Sequence, residues 1–329
     1  MYKNDFTKGV EKLVNPITVG SLHFMQTFNR LLPKRVQKLL VTSSSKKIPF
    51  MGFVVEPYSF FLCYEIVDVK QAVSLLPDGF SLIKTSIFND DEPKYYGILS
   101  CFRSHTSAFW GTRAELYVIA EDKKTGLLSW IIVDYDTDTI RYDSQQGLRG
   151  PTCSNAVLTV DYRGTLFADI RRDDEGREII FSASVTGGVQ TPLNQRLWLE
   201  GNLSVGYGRV LSENNADIFS LKFEPGEVEQ GLRIPHADFA LESNTWYPGL
   251  FKESPSQLVC FPYAQHFVSD SPGSSSNIMN EAELVKAVQD VDFDNTPVYS
   301  TKSFRTMFLV SGAISLVITI TLVVLLIVK

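Results

Sequence analysis

The carboxyl-terminal run of this chain constrains it most. From Thr306 to Val328 it reads TMFLVSGAISLVITITLVVLLIV, twenty-three residues without a charge. At about 1.5 Å of rise per residue such a helix is roughly 35 Å long, enough to cross a bilayer with modest tilt. Core helices of globular proteins rarely stay apolar on every face for so many turns. In lipid a segment must satisfy its own backbone hydrogen bonds, which a helix does even when rich in β-branched residues. The sequence therefore predicts a transmembrane helix bounded by Thr306 and Val328.

Orientation follows from the flanks. Lys302 and Arg305 precede the run and Lys329 alone follows it, and basic residues concentrate on the cytoplasmic side. The opening MYKNDFTKGVEKLVNP has no uninterrupted apolar core of a secretory signal. The expectation is a single-pass, tail-anchored membrane protein with its main domain in the cytosol. Cys63, Cys101, Cys153 and Cys260 show no CxxC or finger-like spacing, which suits a reducing compartment better than a disulfide framework or a zinc site. Asn202-Leu203-Ser204 spells a glycosylation acceptor that would stay unused there.

Charge is divided unevenly. The net charge of -6 argues against nucleic acid as a partner, since phosphate binding is driven by cationic surface. Residues 1–47 hold nine basic and two acidic side chains, +7, and residues 302–329 add +3, so residues 48–301 carry 19 basic and 35 acidic side chains, -16. In the basic, amphipathic helical N-terminal segment, 1–47, Asn15 can cap a helix with Pro16 at its first position; Leu22, Met25, Phe28 and Leu32 recur at helical spacing up to Pro33. A second short helix sets Val36, Leu39 and Leu40 against Lys34, Arg35 and Lys38, and Ser43 to Lys47 reads as a linker. Lys34, Arg35, Lys38, Lys302 and Arg305 are the candidates for contact with anionic membrane lipid. Packing of the basic helix on the acidic body is the equal alternative.

Residues 48–245 read as a β-rich domain. Clusters such as FVVEPYSFFLCYEIV, YYGILSCF, AELYVIAED, SWIIVDY, AVLTVDY, TLFADI, EIIFSASV and RLWLEGNLSV are separated by turn residues at roughly ten-residue spacing, the mark of an antiparallel barrel or sandwich. One helix interrupts them from Asp68 to Leu76, opened by an Asp cap and closed by Pro77-Asp78-Gly79. Residues 246–301 read as an irregular segment and juxtamembrane linker with a short helix at Glu281 to Asp290.

Most chemical signatures are missing. Gly206-Tyr207-Gly208 lacks the third glycine and setting of a dinucleotide fingerprint, and there is no Walker sequence or GxSxG elbow. DYDTDT places Asp134, Asp136 and Asp138 as in a calcium loop, but Thr139 stands where glycine is needed and Gln145 where glutamate is, so a hairpin turn is the better reading. His23, His105, His236 and His266 form no metal-binding pair. No motif asks for a cofactor or a metal. Glu115 in TRAELYVIA shares a strand face with Arg113 and Tyr117 while Leu116 and Val118 take the other. Were the former face interior, Arg113, Glu115 and Arg149 would make a polar cluster suited to a carboxylate ligand. The balance leans to an ordinary exposed face, with Trp110 in the core.

The order YEIVDVKQAVSLLPDGF, FWGTRAELYVIAED, WIIVDYDTDTIRYDSQQGLRGP and AVLTVDYRGTLFADI resembles the acetoacetate decarboxylase superfamily over residues 56–185. The resemblance implies a mainly β fold, a cone-shaped antiparallel β-barrel around a small apolar pocket, here with N-terminal helices and a C-terminal transmembrane helix. It also implies a lysine that condenses with a ketone as a Schiff base. The loop where that lysine is expected reads Gly147-Leu148-Arg149-Gly150-Pro151, and a guanidinium is no amine nucleophile. Lys123-Lys124 falls in a turn where solvent keeps both amines charged. The expected function is binding of, or action on, a small organic acid or lipid-like ligand without Schiff-base decarboxylation. The alternatives are a non-catalytic membrane-tethered interaction protein, and a lyase or decarboxylase using a lysine not identified from the sequence. Assembly into a homo-oligomer is compatible with the sequence, and no residue requires it.

Overall fold

The computed structural model describes residues 5–14, 33–36, 50–106, 109–143, 147–211, 218–270 and 278–295, with 309–310, 312–313, 316–317, 319–321 and 324 near the C terminus. Strands dominate. In chain order β1 (Phe50–Val55), β2 (Ser59–Glu65), β3 (Phe80–Leu82), β4 (Lys84–Thr85), β5 (Lys94–Thr106), β6 (Trp110–Asp122) and β7 (Leu128–Thr137) come first. A short hairpin β8 (Arg141–Asp143) and β9 (Gly147–Arg149) leads to β10 (Asn155–Val160), β11 (Thr165–Arg172) and β12 (Arg177–Ser184). Then follow β13 (Val189–Pro192), β14 (Val205–Tyr207), β15 (Leu221–Lys222), β16 (Gln230–Arg233), β17 (Phe239–Asn244), β18 (Gln257–Phe261) and β19 (Gln265–Asp270). Helices α1 (Asp5–Leu13), α2 (Val69–Leu75) and α3 (Glu281–Gln289) lie outside the strand runs.

Two sheets are layered. The larger runs β13-β16-β18-β2-β5-β1-β19-β15, with β6 on β5 and β7 on β6; the smaller runs β10-β11-β12-β17. Period two sorts the side chains between the layers. Phe60 and Leu62 of β2, Leu99 and Cys101 of β5, Ala114, Leu116 and Val118 of β6 face Leu166, Ala168 and Ile170 of β11 and Ile179, Phe181 and Ala183 of β12 in one buried cluster. Phe60 lies 5.0 Å from Phe181 between ring centroids. The opposite face of the larger sheet also looks onto apolar side chains, so its central strands are covered twice.

The expected antiparallel barrel is not what the strands form: they make no closed barrel, and β14 runs parallel to β7. The reason lies in the segment before β14. RLWLEGNLSV was expected to be a strand, but Arg196–Glu200 is a π-helical turn continuing into the short helix Gly201–Leu203. Asn194 starts it, its carbonyl accepting from Trp198 N at 2.9 Å and its side chain from Leu197 N at 3.2 Å. The chain therefore enters β14 alongside β7 in the same direction. β14 meets the run into β15 at the isolated bridge Val205–Phe219, where two backbone hydrogen bonds of 2.9 Å are exchanged.

A bulge decides which face the acidic residues of β7 take. Leu116 pairs with Asp134 and Tyr117 with Ile132, leaving Val133 as an extra residue. Trp130 and Ile132 face one side and Tyr135 joins them, while Asp134 and Asp136 turn to the second sheet. There Arg177 clamps both layers: its Nε donates to Asp136 Oδ2 at 2.6 Å, its Nη2 to Asp136 Oδ1 at 2.9 Å, and its Nη1 to Asp134. Its guanidinium lies 4.5 Å from the Trp246 ring centroid, and Arg172 adds a bond to Asp136 Oδ1 at 3.2 Å. The carboxylates DYDTDT offered for calcium are thus held by arginine, and Asp138 accepts from Thr112 N at 2.8 Å. The turn after β7 is not the expected hairpin, because β7 pairs with β6 and β14 whereas β8 turns away to pair with β9.

The helix expected from Asp68 is α2, capped as read: Asp68 accepts from Gln71 N at 2.9 Å and Gly79 takes φ +92° beyond its end. α3 likewise matches, with Asn280 accepting from Glu283 N at 3.0 Å. The boundary expected at residue 245 is not one. β18 and β19 fall in the supposedly irregular 246–301 and sit inside the larger sheet, next to β2 and β1. They are short, and Gly249, Pro255 and Pro262 around them imitate a loop.

α1 falls within the N-terminal segment expected to be helical and amphipathic, ahead of the helices placed from Asn15 onward. Phe6, Gly9, Val10 and Leu13 form its buried face, and a Cβ on Gly52 of β1 would come within 2.6 Å of Leu13, so the close approach needs glycine there. Glu11 meets His266 Nε2 at 3.1 Å, and Glu227 lies 3.5 Å from its Nδ1. Burial works against the His266 charge, but the two carboxylates outweigh it and its pKa is raised. The helices expected over residues 15–32 and around 37–40, and Lys38, Lys302, Arg305, Thr306 and Val328, lie outside the described residues; Lys34 and Arg35 are exposed. No helix among the described residues is long and apolar enough to cross a membrane. The described part of the C-terminal run is helical, with Leu309, Leu316 and Ile320 each more than half exposed.

Two outcomes follow from these contacts. Arg177→Met removes the partner of two largely buried carboxylates and is expected to cost about 3–5 kcal/mol, read as a lowered denaturant midpoint, with Arg177→Lys recovering little because the fork is lost. For the helix contact the sign follows from the raised pKa: His266 contributes stability fully below its unfolded value and loses it as pH rises through the folded one. The stability gap between wild type and Glu11→Gln is expected to be largest below about pH 6.5 and to close in more alkaline buffer; a gap that persists in thermal melts at about pH 8.5 would contradict the pairing.

Candidate functional site

Because β6 is covered on both faces, its charged stripe points inward rather than to solvent. Arg113 and Glu115 line a cavity of about 160 Å³ together with Tyr117, against the balance of the sequence reading. Two features made the exposed reading attractive and wrong. Charged residues face water when unpaired, but Arg113 Nη2 donates to Glu115 Oε1 at 3.0 Å, and Tyr117 Oη donates to Glu115 Oε2. The second layer that buries Ala114, Leu116 and Val118 comes from residues 155 onward and cannot be seen from β6 alone.

The remaining wall is mostly aromatic and aliphatic. β1 contributes Phe53, β2 Phe61, β5 Phe102, β18 Phe261 and β19 Phe267, with Trp130 and Ile132 from β7 and Trp198 from the π-helical turn. Trp130 and Trp198 are fixed by their indole nitrogens, which donate to Leu197 O at 2.9 Å and Ile87 O at 3.0 Å. Their ring centroids are 5.3 Å apart, and Gly201 permits this packing because a Cβ there would collide with Trp130. Asn202 lines the same wall. Its Nδ2 donates to Trp198 O at 2.5 Å, the carbonyl that the wide turn leaves over, so the glycosylation sequon is built into the cavity wall with Ser204 buried behind it.

Polar chemistry is confined to few groups. The Arg113 guanidinium lies 4.5 Å from the Tyr135 ring centroid and 5.2 Å from that of Phe109, within cation–π range of both. One nitrogen is spent on Glu115; the Nε–H is buried with no hydrogen-bond partner. Burial opposes the Arg113 charge, yet Glu115 and the surrounding Tyr135, Tyr207 and Tyr117 hydroxyls leave its pKa raised. Burial and then the Glu115 charge push the Tyr117 hydroxyl well up, so it remains a donor. Gln265, Tyr207 and Ser269 also line the cavity.

The structure does not bring Arg149 to this group. It is half-buried in β9, paired in register with Arg141, and absent from the cavity wall, because the loop it occupies folds back as the β8–β9 hairpin. Among the described residues lining the cavity there is no lysine. Lys123 and Lys124 are exposed in the turn expected for them, where Lys124 N donates to Asp122 at 2.9 Å. Trp110 is half-buried and stacked on His105 at 4.4 Å between centroids, outside the cavity; His105 in turn meets Glu56 at 2.5 Å. Among the described residues no three His, Cys, Asp or Glu side chains converge as a metal site, and all four cysteines are free.

Sequence reasoning missed Tyr207, Asn202 and Trp198. The signal available was local: Pro192 followed by Asn194 marks a helix start, which makes RLWLEGNL a turn that presents a tryptophan and an asparagine rather than a strand. Comparison with known proteins yields no match: no family model, no curated protein and no solved structure matches this chain.

Proposed function

We propose that this is a membrane-tethered protein whose β-rich domain binds, or acts without Schiff-base formation upon, a small organic acid in the cavity around Arg113. One observation carries the reading. In a largely apolar cavity an arginine presents half of its fork to Glu115 and keeps a buried Nε–H without a partner, a state that costs about 1–3 kcal/mol and that an oxygen acceptor on a ligand would relieve. The cavity is of the size that takes a benzene-sized molecule, about six heavy atoms. A scaffold with no ligand would have filled it with side chains, which favours binding over the interaction-protein alternative.

The decarboxylase-like reading is supported by the helix and Leu-Pro turn after β2, by the carboxylate on β6, and by the bridge Val205–Phe219, through which the strands around the cavity come close to encircling it. The lining supports only a non-lysine chemistry for the site. For the tail anchor the support is the charge-free run itself and the exposure of its described helical residues, which water disfavours and lipid does not.

Calorimetric titration of the purified full chain with butyrate is expected to show saturable binding, and Arg113→Met to lose it at least tenfold. A wild-type chain that reacts with acetoacetate and borohydride to give a covalent lysine adduct would overturn the non-lysine part. The anchor is checked separately: deletion of residues 306–328 is expected to release the protein from membranes in alkaline carbonate, and continued pelleting of the shortened chain would refute it.

A further inference from the structure

Among the described residues the wall of the cavity holds one cation, Arg113, and one carboxyl, Glu115, in contact at 3.0 Å. The pair is electroneutral as it stands. A ligand carboxylate that simply entered would leave one uncompensated negative charge in a largely apolar cavity, a state that proteins avoid by neutralising a group rather than by bearing the charge. The groups that face the pair are few. Tyr117 donates to Glu115, Tyr135 lies against the guanidinium, and Tyr207 is the remaining hydroxyl that acts on Arg113. None of these can resolve the imbalance, because a phenol hydroxyl takes up no further proton and a guanidinium already carries its own. Glu115 alone is left to change.

We propose that the cavity takes its acid ligand together with one proton, the ligand carboxylate replacing Glu115 on Arg113 while Glu115 becomes a neutral donor to it. This rests on the reading of the cavity as an organic-acid site and adds the ionic form in which the acid is held. The proton comes from solvent, no covalent bond to carbon is made or broken, and the occupied site is neutral again. Arg113 then offers Nε and Nη2 together, the side-on fork that matches two carboxylate oxygens. A neutral amide of the same shape needs no proton, because its NH₂ can donate to the ionised Glu115 while its oxygen accepts from Arg113.

The test uses butyrate and butyramide, two probes of about six heavy atoms, matched to the size of cavity that holds benzene, with the full-length chain in calorimetry at several pH values and in buffers of different ionisation enthalpy. Butyrate is expected to bind with uptake of close to one proton and to lose about tenfold in affinity per pH unit between about pH 6 and 8, whereas butyramide binding stays level over the same range. Glu115→Gln, which is neutral at every pH, is expected to flatten the butyrate profile and to bind butyrate more tightly than wild type at about pH 8. Butyrate binding without proton uptake, or a slope retained in Glu115→Gln, would overturn the proposal while leaving the site reading intact. Failure of both probes to bind at any pH would overturn the site reading and this inference with it.

Discussion

One inserted residue in β7 governs the rest of the molecule. Were β7 regular through Val133 rather than bulged, strict alternation would carry Ile132, Asp134 and Asp136 onto one face, and two acids would enter the cavity. With the bulge, Trp130, Ile132 and Tyr135 stay on the cavity side while both aspartates reach Arg177 across the layer boundary. The inner and outer chemistries of the larger sheet are separable because the bulge reverses parity midway along β7. The clamp between layers, the seat of Arg113 on Tyr135, and the single net charge balance of the cavity all follow.

That balance also sets what the interior can tolerate. Two charges removed from water are costly unless close, well oriented and further hydrogen-bonded. Arg113 and Glu115 meet this by sharing β6 two residues apart, by the Tyr117 hydroxyl on the carboxylate and by two aromatic rings within cation–π range of the guanidinium. The same device appears twice in one sheet, once facing the cavity and once facing the second layer. In the second case Arg177 is shared by two carboxylates, with its Nε, Nη1 and Nη2 all engaged; in the first, the arginine Nε is left over. The two clusters thus differ in how fully the arginine is satisfied.

Legibility in the sequence followed the range of the interactions. Local chemistry could be read directly: the Asp68 cap, the Gly79 stop, the DKKTG turn and most strands from β1 to β12 depend on residues within a few positions of one another. Arg113 and Glu115 were identifiable as a pair, since they share a strand face. Which face, however, depends on a second sheet that begins only at Asn155, far downstream, and period two says nothing about that. Arg149 looked equally suitable because the loop leading to it can be counted but not folded. The π-helical turn was lost for a different reason, its Leu-Trp-Leu core having the composition of a buried strand, and β18 and β19 were lost because prolines crowd their ends.

The ends of the folded part also belong together. α1 sits against β1 and β19, with Phe6 5.6 Å from Phe293 between ring centroids and Gly9 beneath the same ring. During synthesis at about 5–20 residues per second, the roughly 250 residues that separate α1 from β19 take on the order of 10–50 s to appear. For that interval the apolar face of α1 has β1 to pack on but neither β19 nor Phe293, and its seat is completed only when those residues are made.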